Sequence, residues 1–330
     1  MSRVHLTNHG FEVEVMADSL IRIPKSLDPK GYRRATSFRL VMPRIVLAEF
    51  NTHRLISRNS ASSRAIPATK FRERVKEKPF VPDRFPRDHK GMQASEWVTP
   101  EDPKFPLWVA NWLDTRNNAL KEAEWLSSLG ISKQLVNRIL EPWFWHEVIA
   151  TATEWENFLA LRAHPDAMNE IRIIAEMIMT ALNQSKPAEL IPGRWHLPFG
   201  DTIDYDRLRV IAMHENLGNI SAISRRIDEL AVQVTVARCA RVSYLNFEGK
   251  DDYESDIDLY KRLKAQGHWS PTEHAAMAMS PDQYQSYAHV YPDHTELGWC
   301  GNLRGFIQHR RTFPRDVESR PEPRLKILDI

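Results

Sequence analysis

The period of the apolar positions changes along the chain. Phe11, Val13 and Val15 alternate with polar residues, Val4–Leu6 precedes them, and the apolar run Arg39–Phe50 follows, so the first fifty residues read as β-rich. Lys25–Arg34, with Gly31 and Pro29 inside it and Pro24 before it, reads as a loop. From Leu107 to about Leu190 the spacing is helical: Trp108, Trp112, Leu120 and Trp125 come first, interrupted at Gly130. In the stretch His146–Arg162, Trp155, Phe158, Leu159 and Arg162 share one helical face, and Pro165-Asp166 opens a helix with Met168, Ile171, Ala175, Ile178 and Leu182 as its stripe.

Between these regions, residues 66–107 carry Pro67, Pro79, Pro82, Pro86, Pro100, Pro103 and Pro106. That density argues against long helices and predicts an extended excursion, either a spacer or a lid using Phe80, Phe85 and Met92. Residues 187–219, rich in Pro and Gly, form the best candidate boundary; Gly193–Phe199 within them is unusual but suggests no mechanism. Beyond it, Ile223, Ile227, Leu230, Ala231, Val234 and Arg238 predict a long helix, and Ser255-Asp256-Ile257-Asp258 reads as a capping box for another that Gly267 ends. Ser270, Pro271 and Glu273 read as the N-cap, first and third positions of a further helix. The donor-rich tail Trp299–Arg311 reads as a site wall or a surface helix. Together the pattern divides the chain into 1–200 and 201–330, read as one intertwined domain.

Charge then narrows the chemistry. The 330 residues hold 45 basic and 43 acidic side chains, a net +2, so bulk electrostatics offers no case for a nucleic acid or a membrane, and any anion site is local. Cys239 and Cys300 are the only cysteines, too few for a disulfide framework or a paired-Cys metal site. With no secretory leader and no apolar run of membrane-spanning length, the expectation is a soluble protein of the cytoplasm without a structural metal.

The densest chemistry lies in Thr52–Arg64, where three guanidinium groups, four serine hydroxyls, an imidazole and an amide fall within thirteen residues. Planar bidentate guanidiniums and hydroxyls suit phosphate; a solvated arginine-rich loop is the plainer alternative. Order adds to composition. His53-Arg54, seven residues and Ser62, with Asn59 and Arg64 in register, resembles the signature of flavin-dependent thymidylate synthases, although Thr52, Ser60, Ser63 and Ala65 replace that family's Arg, Glu, Gly and Tyr. Asn157-Phe158-Leu159 and Leu161-Arg162, followed by Ala167–Arg172 with Met168 in place of Gln, resemble its second segment. Ala240–Tyr244 and Gly267–His274, with Thr272 in place of Phe, resemble its third. The third block normally precedes the arginine motif and here follows it, so the resemblance implies a circularly permuted, phage-like member.

The resemblance implies an α+β fold in which an antiparallel or mixed sheet packs with long helices. It also implies FAD as cofactor, a methylene taken from methylenetetrahydrofolate and placed on dUMP, reduction to dTMP with NADPH as the flavin's reductant, and a homotetramer with shared sites, located in the cytoplasm, or the host cytoplasm if phage-encoded. Carried over by position, His53, Arg54, Asn59 and Asn157 would contact the flavin. Ser62, Ser63, Arg64 and Arg162 would hold dUMP, with Arg58 replacing the lost Arg; Arg162, Arg64 and Ser62 would serve the reacting nucleotide. Ser270, Glu273 and His274 would form the flavin and folate wall. Rival readings are a 5-hydroxymethyl product and a non-catalytic nucleotide-binding relative. A cysteine-dependent route would need Cys239 or Cys300 as thiolate, whereas Cys239, among apolar residues, reads as buried and inert.

Overall fold

The computed structural model describes residues 3–91, 93–215, 218–242 and 252–313. The alternating segment forms the strand Phe11–Arg22, flanked by His5–Asn8 and by the long strand Tyr32–Pro43. Tyr32–Pro43 pairs with Trp145–Ala152, which pairs with the edge strand Ser57–Ser60. These pairings are all antiparallel, and Ala188–Glu189 adds to Phe11–Arg22 in parallel. The fold is α+β.

Strand alternation gives the sheet two different faces. On one, Val13, Val15, Phe38, Leu40, Val148 and Ala150 pack against the helices Glu156–Arg162 and Asn169–Gln184 through Phe158, Ile171, Ile174 and Ile178. A bulge between Val15 and Ala17 then shifts the register. On the other face Met16 and Ile149 meet Phe199, Cys239 and Val242 beneath the helix Ile220–Arg241. Farther along, Ile21 and Ala35 meet Ala276, Ala278 and Phe306. Those last residues belong to a second sheet of Trp195–His196, Ala276–Ala278 and Phe306–Gln308. The side chains of Ser37, Thr151 and Ser57 occupy one rung of the main sheet, so the face under the C-terminal third carries a row of hydroxyls.

Several sequence expectations are corrected. The run Arg39–Phe50 is strand only to Pro43, because Arg44–Val46 is a 3-10 turn and Leu47–Asn51 a short helix. His146–Ala152 is strand rather than helix; Val148, Ile149 and Thr151 are β-branched and fit a pleated surface. The Pro-rich excursion contains the helix Ala68–Glu77, bounded by Pro67 and Pro79, and Pro106 sits in the first turn of the helix Phe105–Ser128, where proline is tolerated. Phe80 is buried against Trp112 and Trp145, so that ring is core rather than lid, while the half-buried Phe85 packs on Phe105, Trp108 and Trp112; Met92 lies outside the described residues. The helix after Pro165 begins at Asn169, leaving Met168 exposed as its N-cap. Asp252, not Ser255, caps the helix Tyr253–Ala265, and Asp256 instead receives Arg241 at 2.7 Å and the buried Arg238. The tail is not a surface helix: Trp299–Cys300, Leu303–Arg304 and Phe306–Gln308 are short strands followed by a 3-10 turn.

Candidate functional site

The short helix Leu47–Asn51 ends at Thr52, and the chain turns into the strand Ser57–Ser60, whose alternation buries Ser57 and Asn59 and leaves Arg58 and Ser60 half-exposed. His53 lies in the turn, buried edge-on against Phe158 at 4.9 Å. Arg162, from the end of the helix Glu156–Arg162, donates to His53 Nε2 at 3.0 Å and to the Thr52 hydroxyl at 3.2 Å. Burial and then the Arg162 charge hold the His53 pKa below its usual value, so the ring is neutral. Because Nε2 accepts from Arg162, the neutral ring carries its proton on Nδ1, and Asn157 hydrogen-bonds the ring. Arg58 donates to the His53 carbonyl at 2.8 Å.

The third block docks on the same strand. Asn59 Nδ2 donates to the Cys239 carbonyl at 2.6 Å, and Asn59 Oδ1 accepts the Ser270 hydroxyl at 3.0 Å. This overturns the helix-cap reading of Ser270: residues Ser270–Glu273 form one 3-10 turn without a side-chain cap, and the hydroxyl is spent on Asn59. Glu273 bonds Ser57, whose hydroxyl also meets Asn302 at 2.9 Å and Gln308 at 3.0 Å, while Gln308 Nε2 donates to the Glu273 carbonyl at 3.0 Å. His274 is fully buried, with Nδ1 2.9 Å from the Thr151 hydroxyl and Nε2 without a partner among the described residues. The third block thus reaches the edge strand itself, and Arg162 of the second reaches the turn Thr52-His53 that leads into it; Ser243 and Tyr244 lie outside the described residues.

The rest of the arginine motif faces other partners. Ser63 donates to Glu141 at 2.5 Å, and Asn137 Nδ2 holds the Ser63 carbonyl at 2.7 Å. Arg64 is exposed and reaches Gln134 at 3.4 Å, and Ser62 is half-buried in the turn that follows Ala61. Ser63 and Arg64 are thus held by the Lys133–Trp143 segment, whereas His53, Arg58 and Asn59 face the helix of Arg162 or the C-terminal third.

Guanidiniums crowd the edge. Burial and then Arg54 lower the pKa of Arg58, burial and then Arg311 lower that of Arg310, and Arg58, Arg310 and Arg311 all bear on Glu273. Burial raises the Glu273 carboxyl despite those neighbours. One half-protected carboxylate among several guanidiniums leaves a local surplus of positive charge, which suits an anion with phosphate geometry. Among the described residues no cluster of metal-ligating side chains occurs. An open cleft of about 740 Å³, walled by Arg3, Asp18, Ser19, Lys186, Trp195 and Tyr205, lies on a different part of the sheet.

Ser57, Thr151, His196, Asn302 and Gln308 were not singled out as site residues from the sequence. Their signal was faint: hydroxyls inside strands, one histidine in the unexplained Gly193–Phe199 stretch, and amides in the donor-rich tail.

An α+β protein with guanidinium groups gathered around the edge strand of its main sheet is the class these features define. Residues 35–188, a little under half of the chain, match the family described as "Thymidylate synthase complementing protein", and that span holds both the Thr52–Arg64 and Asn157–Arg172 blocks. Over that span the chain is similar to that family, in line with the first two motifs. Solved structures similar to it include a UMP/dUMP methylase PolB from Streptomyces cacaoi bound with 5-Br dUMP, at 19% identity, covering 46% of this chain and 67% of that one with a TM-score of 0.37. Thymidylate Synthase X (ThyX) from Helicobacter pylori with FAD and dUMP is similar at 17% identity, 48% and 69% coverage and a TM-score of 0.34. Comparison with curated protein sequences gives no match.

Proposed function

We propose that this chain is a flavin-dependent enzyme that modifies deoxyuridylate at C5, forming thymidylate with methylenetetrahydrofolate as one-carbon donor and NADPH as the flavin's reductant. The observation that carries the reading is the contact of both other blocks with the stretch Thr52–Ser60, Arg162 at its turn and Ser270 and Glu273 on its strand, with Arg54, Arg58, Arg162, Arg310 and Arg311 supplied from three stretches of sequence. A flavin dinucleotide presents phosphates and a ring rich in donors and acceptors. The guanidinium surplus fits the first, and the unpartnered Nε2 of His274 is a buried polar atom that such a ring would satisfy. When bound, the reduced flavin supplies the hydride and carries the one-carbon unit.

The protein's own part is binding, orientation and charge. Arg54 and Arg58 hold phosphate, His53 and Asn157 form a neutral donor–acceptor pair beside it, and Arg162 braces that pair while offering charge to a developing uracil anion. Ser63 and Arg64, held on the Lys133–Trp143 segment, and the adjoining Ser62 are assigned to the nucleotide of a neighbouring subunit's site in a homotetramer. Permutation of the third block is part of the same proposal, supported by its docking on the strand that the arginine motif forms.

Thr52 accepts from Arg162 where the family places an Arg, which favours keeping the 5-hydroxymethyl product as a second reading. The deciding experiment is the visible spectrum of the purified protein with added dUMP, followed by the product mass. Flavin bands that shift with dUMP, and shift less in Arg162→Ala, support the enzyme; a protein that takes up no flavin refutes it. A product heavier than dUMP by one CH2, rather than by CH2O, separates thymidylate from the hydroxymethyl alternative.

A further inference from the structure

Five buried or nearly buried side chains join end to end between the cleft and His274. Ser19 Oγ lies 2.8 Å from His196 Nδ1, and His196 Nε2 lies 2.8 Å from Ser37 Oγ. Ser37 Oγ lies 2.5 Å from Thr151 Oγ1, which lies 2.9 Å from His274 Nδ1. Ser19 lines the 740 Å³ cleft, and His274 Nε2, at the far end, is the atom with no partner. The chain crosses three strands of the main sheet, and Ser37 and Thr151 are direct cross-strand partners.

Counting protons leaves two arrangements. A neutral imidazole has one donor and one acceptor nitrogen, and each hydroxyl has one proton. In the first arrangement Ser19 donates to His196, His196 Nε2–H to Ser37, Ser37 to Thr151 and Thr151 to His274 Nδ1, so His274 Nε2 bears a proton. In the second every bond is reversed and His274 Nε2 is a bare lone pair. Any mixture leaves a buried hydroxyl proton without an acceptor, or sets the Ser37 and Thr151 oxygens at 2.5 Å with no proton between them. Burial keeps both rings neutral, with pKa values lowered to about 4 for His196 and about 3 for His274.

We propose that Ser19–His196–Ser37–Thr151–His274 is a reversible hydrogen-bond relay that locks the two histidines into one shared tautomer and moves a proton between the cleft and the ligand side of His274. The proton-transfer part rests on the flavin and nucleotide reading above; the tautomer coupling does not. When the ligand takes the Nε2 proton of His274, Nδ1 receives that of Thr151, Thr151 that of Ser37, Ser37 that of His196 Nε2, and His196 Nδ1 that of Ser19. Water in the cleft then reprotonates Ser19. Run backwards, the same steps carry a ligand proton out, and neither direction leaves an ion in the interior. His196, Ser37 and Thr151 are positioning residues in this scheme.

The test is long-range proton–nitrogen NMR of the unliganded protein labelled with 15N-histidine, which reports the protonated nitrogen of each ring. The expected result is the same tautomer at His196 and His274, lost in Thr151→Val and restored in Thr151→Ser, with Ser37→Ala as the second break if the valine variant does not fold. Opposite tautomers in the parent protein, or an unchanged His274 in a folded break variant, overturn the coupling. In turnover, Thr151→Val is expected to lower kcat on the order of 100-fold at unchanged KM for dUMP, with Thr151→Ser close to parent. An unchanged kcat alongside lost coupling overturns the proton transfer. Failure to bind flavin would refute the enzyme reading while leaving the tautomer result to stand or fall separately.

Discussion

Arg162 donates to His53 Nε2 across 109 residues of sequence, so the guanidinium that the resemblance assigns to the nucleotide also fixes the tautomer of the imidazole assigned to the flavin. Coupling of this kind predicts that one substitution disturbs two ligands. Arg162→Ala should weaken dUMP binding tenfold or more, since charge-assisted hydrogen bonds contribute about 1.5–3 kcal/mol. It should also raise the His53 pKa, because Arg162 is one of the charges holding it down. Isothermal titration with dUMP and an NMR titration of His53 check the two effects. A weakened dUMP site with an unmoved His53 would show that the contact does not set the ring's charge state.

How much of this was legible depends on the range of the interactions. The alternation of Phe11, Val13 and Val15 is local and gave its strand directly. His146–Ala152 was misread because Glu147, Ala150 and Ala152 favour or tolerate helix while tertiary pairing on both sides makes the segment the sheet's inner strand. Ser270 shows the limit at the site: Ser-Pro-Thr-Glu satisfies the local rules for a helix start, yet its hydroxyl goes to Asn59, 211 residues away. Chemistry-bearing residues could be picked by type and order, but partners that meet only through folding, such as Gln308 with Ser57, left no local trace.

Asn59 ties the C-terminal third to the edge strand through both ends of its amide. Ser270→Ala removes one neutral hydrogen bond and should cost about 1 kcal/mol. Asn59→Leu should cost more, about 2–3 kcal/mol, because the Cys239 carbonyl is left buried without its donor. Urea unfolding of the two variants checks the order; equal costs would mean that water replaces the Asn59 amide at that carbonyl.

Four histidines with strongly lowered pKa values set the response to acid. His146 and His274 have pKa values lowered to about 3, and His196 and His309 to about 4, in each case through burial first. The unfolded chain titrates near 6.5, so between about pH 6.5 and 4 it binds protons that the native state refuses. Stability is therefore complete above about pH 6.5 and falls as pH drops through that window, by up to about 1.4 kcal/mol per histidine per pH unit once the unfolded residue is protonated. The melting temperature should decline below pH 6, and His309→Gln should flatten the slope by roughly a quarter. Thermal melts at half-unit pH steps measure this, and a flat profile down to pH 4.5 would contradict it.

The two cysteines separate the possible chemistries. Cys239 is fully buried at the end of a helix with its thiol pKa pushed far up by burial, and burial likewise raises that of Cys300, which is 3% exposed. A thiolate nucleophile needs the opposite environment: exposed, electropositive and low in pKa. The thiols should therefore resist a disulfide reagent in the native protein and react fully on unfolding. Cys300→Ala should keep parent turnover, and Cys239→Ala should keep it with a stability loss of about 1 kcal/mol for the lost packing. A folded Cys300→Ala protein with parent dUMP affinity and no turnover would move the attack on uracil to a covalent thiolate and remove the need for a hydride-bearing flavin at that step.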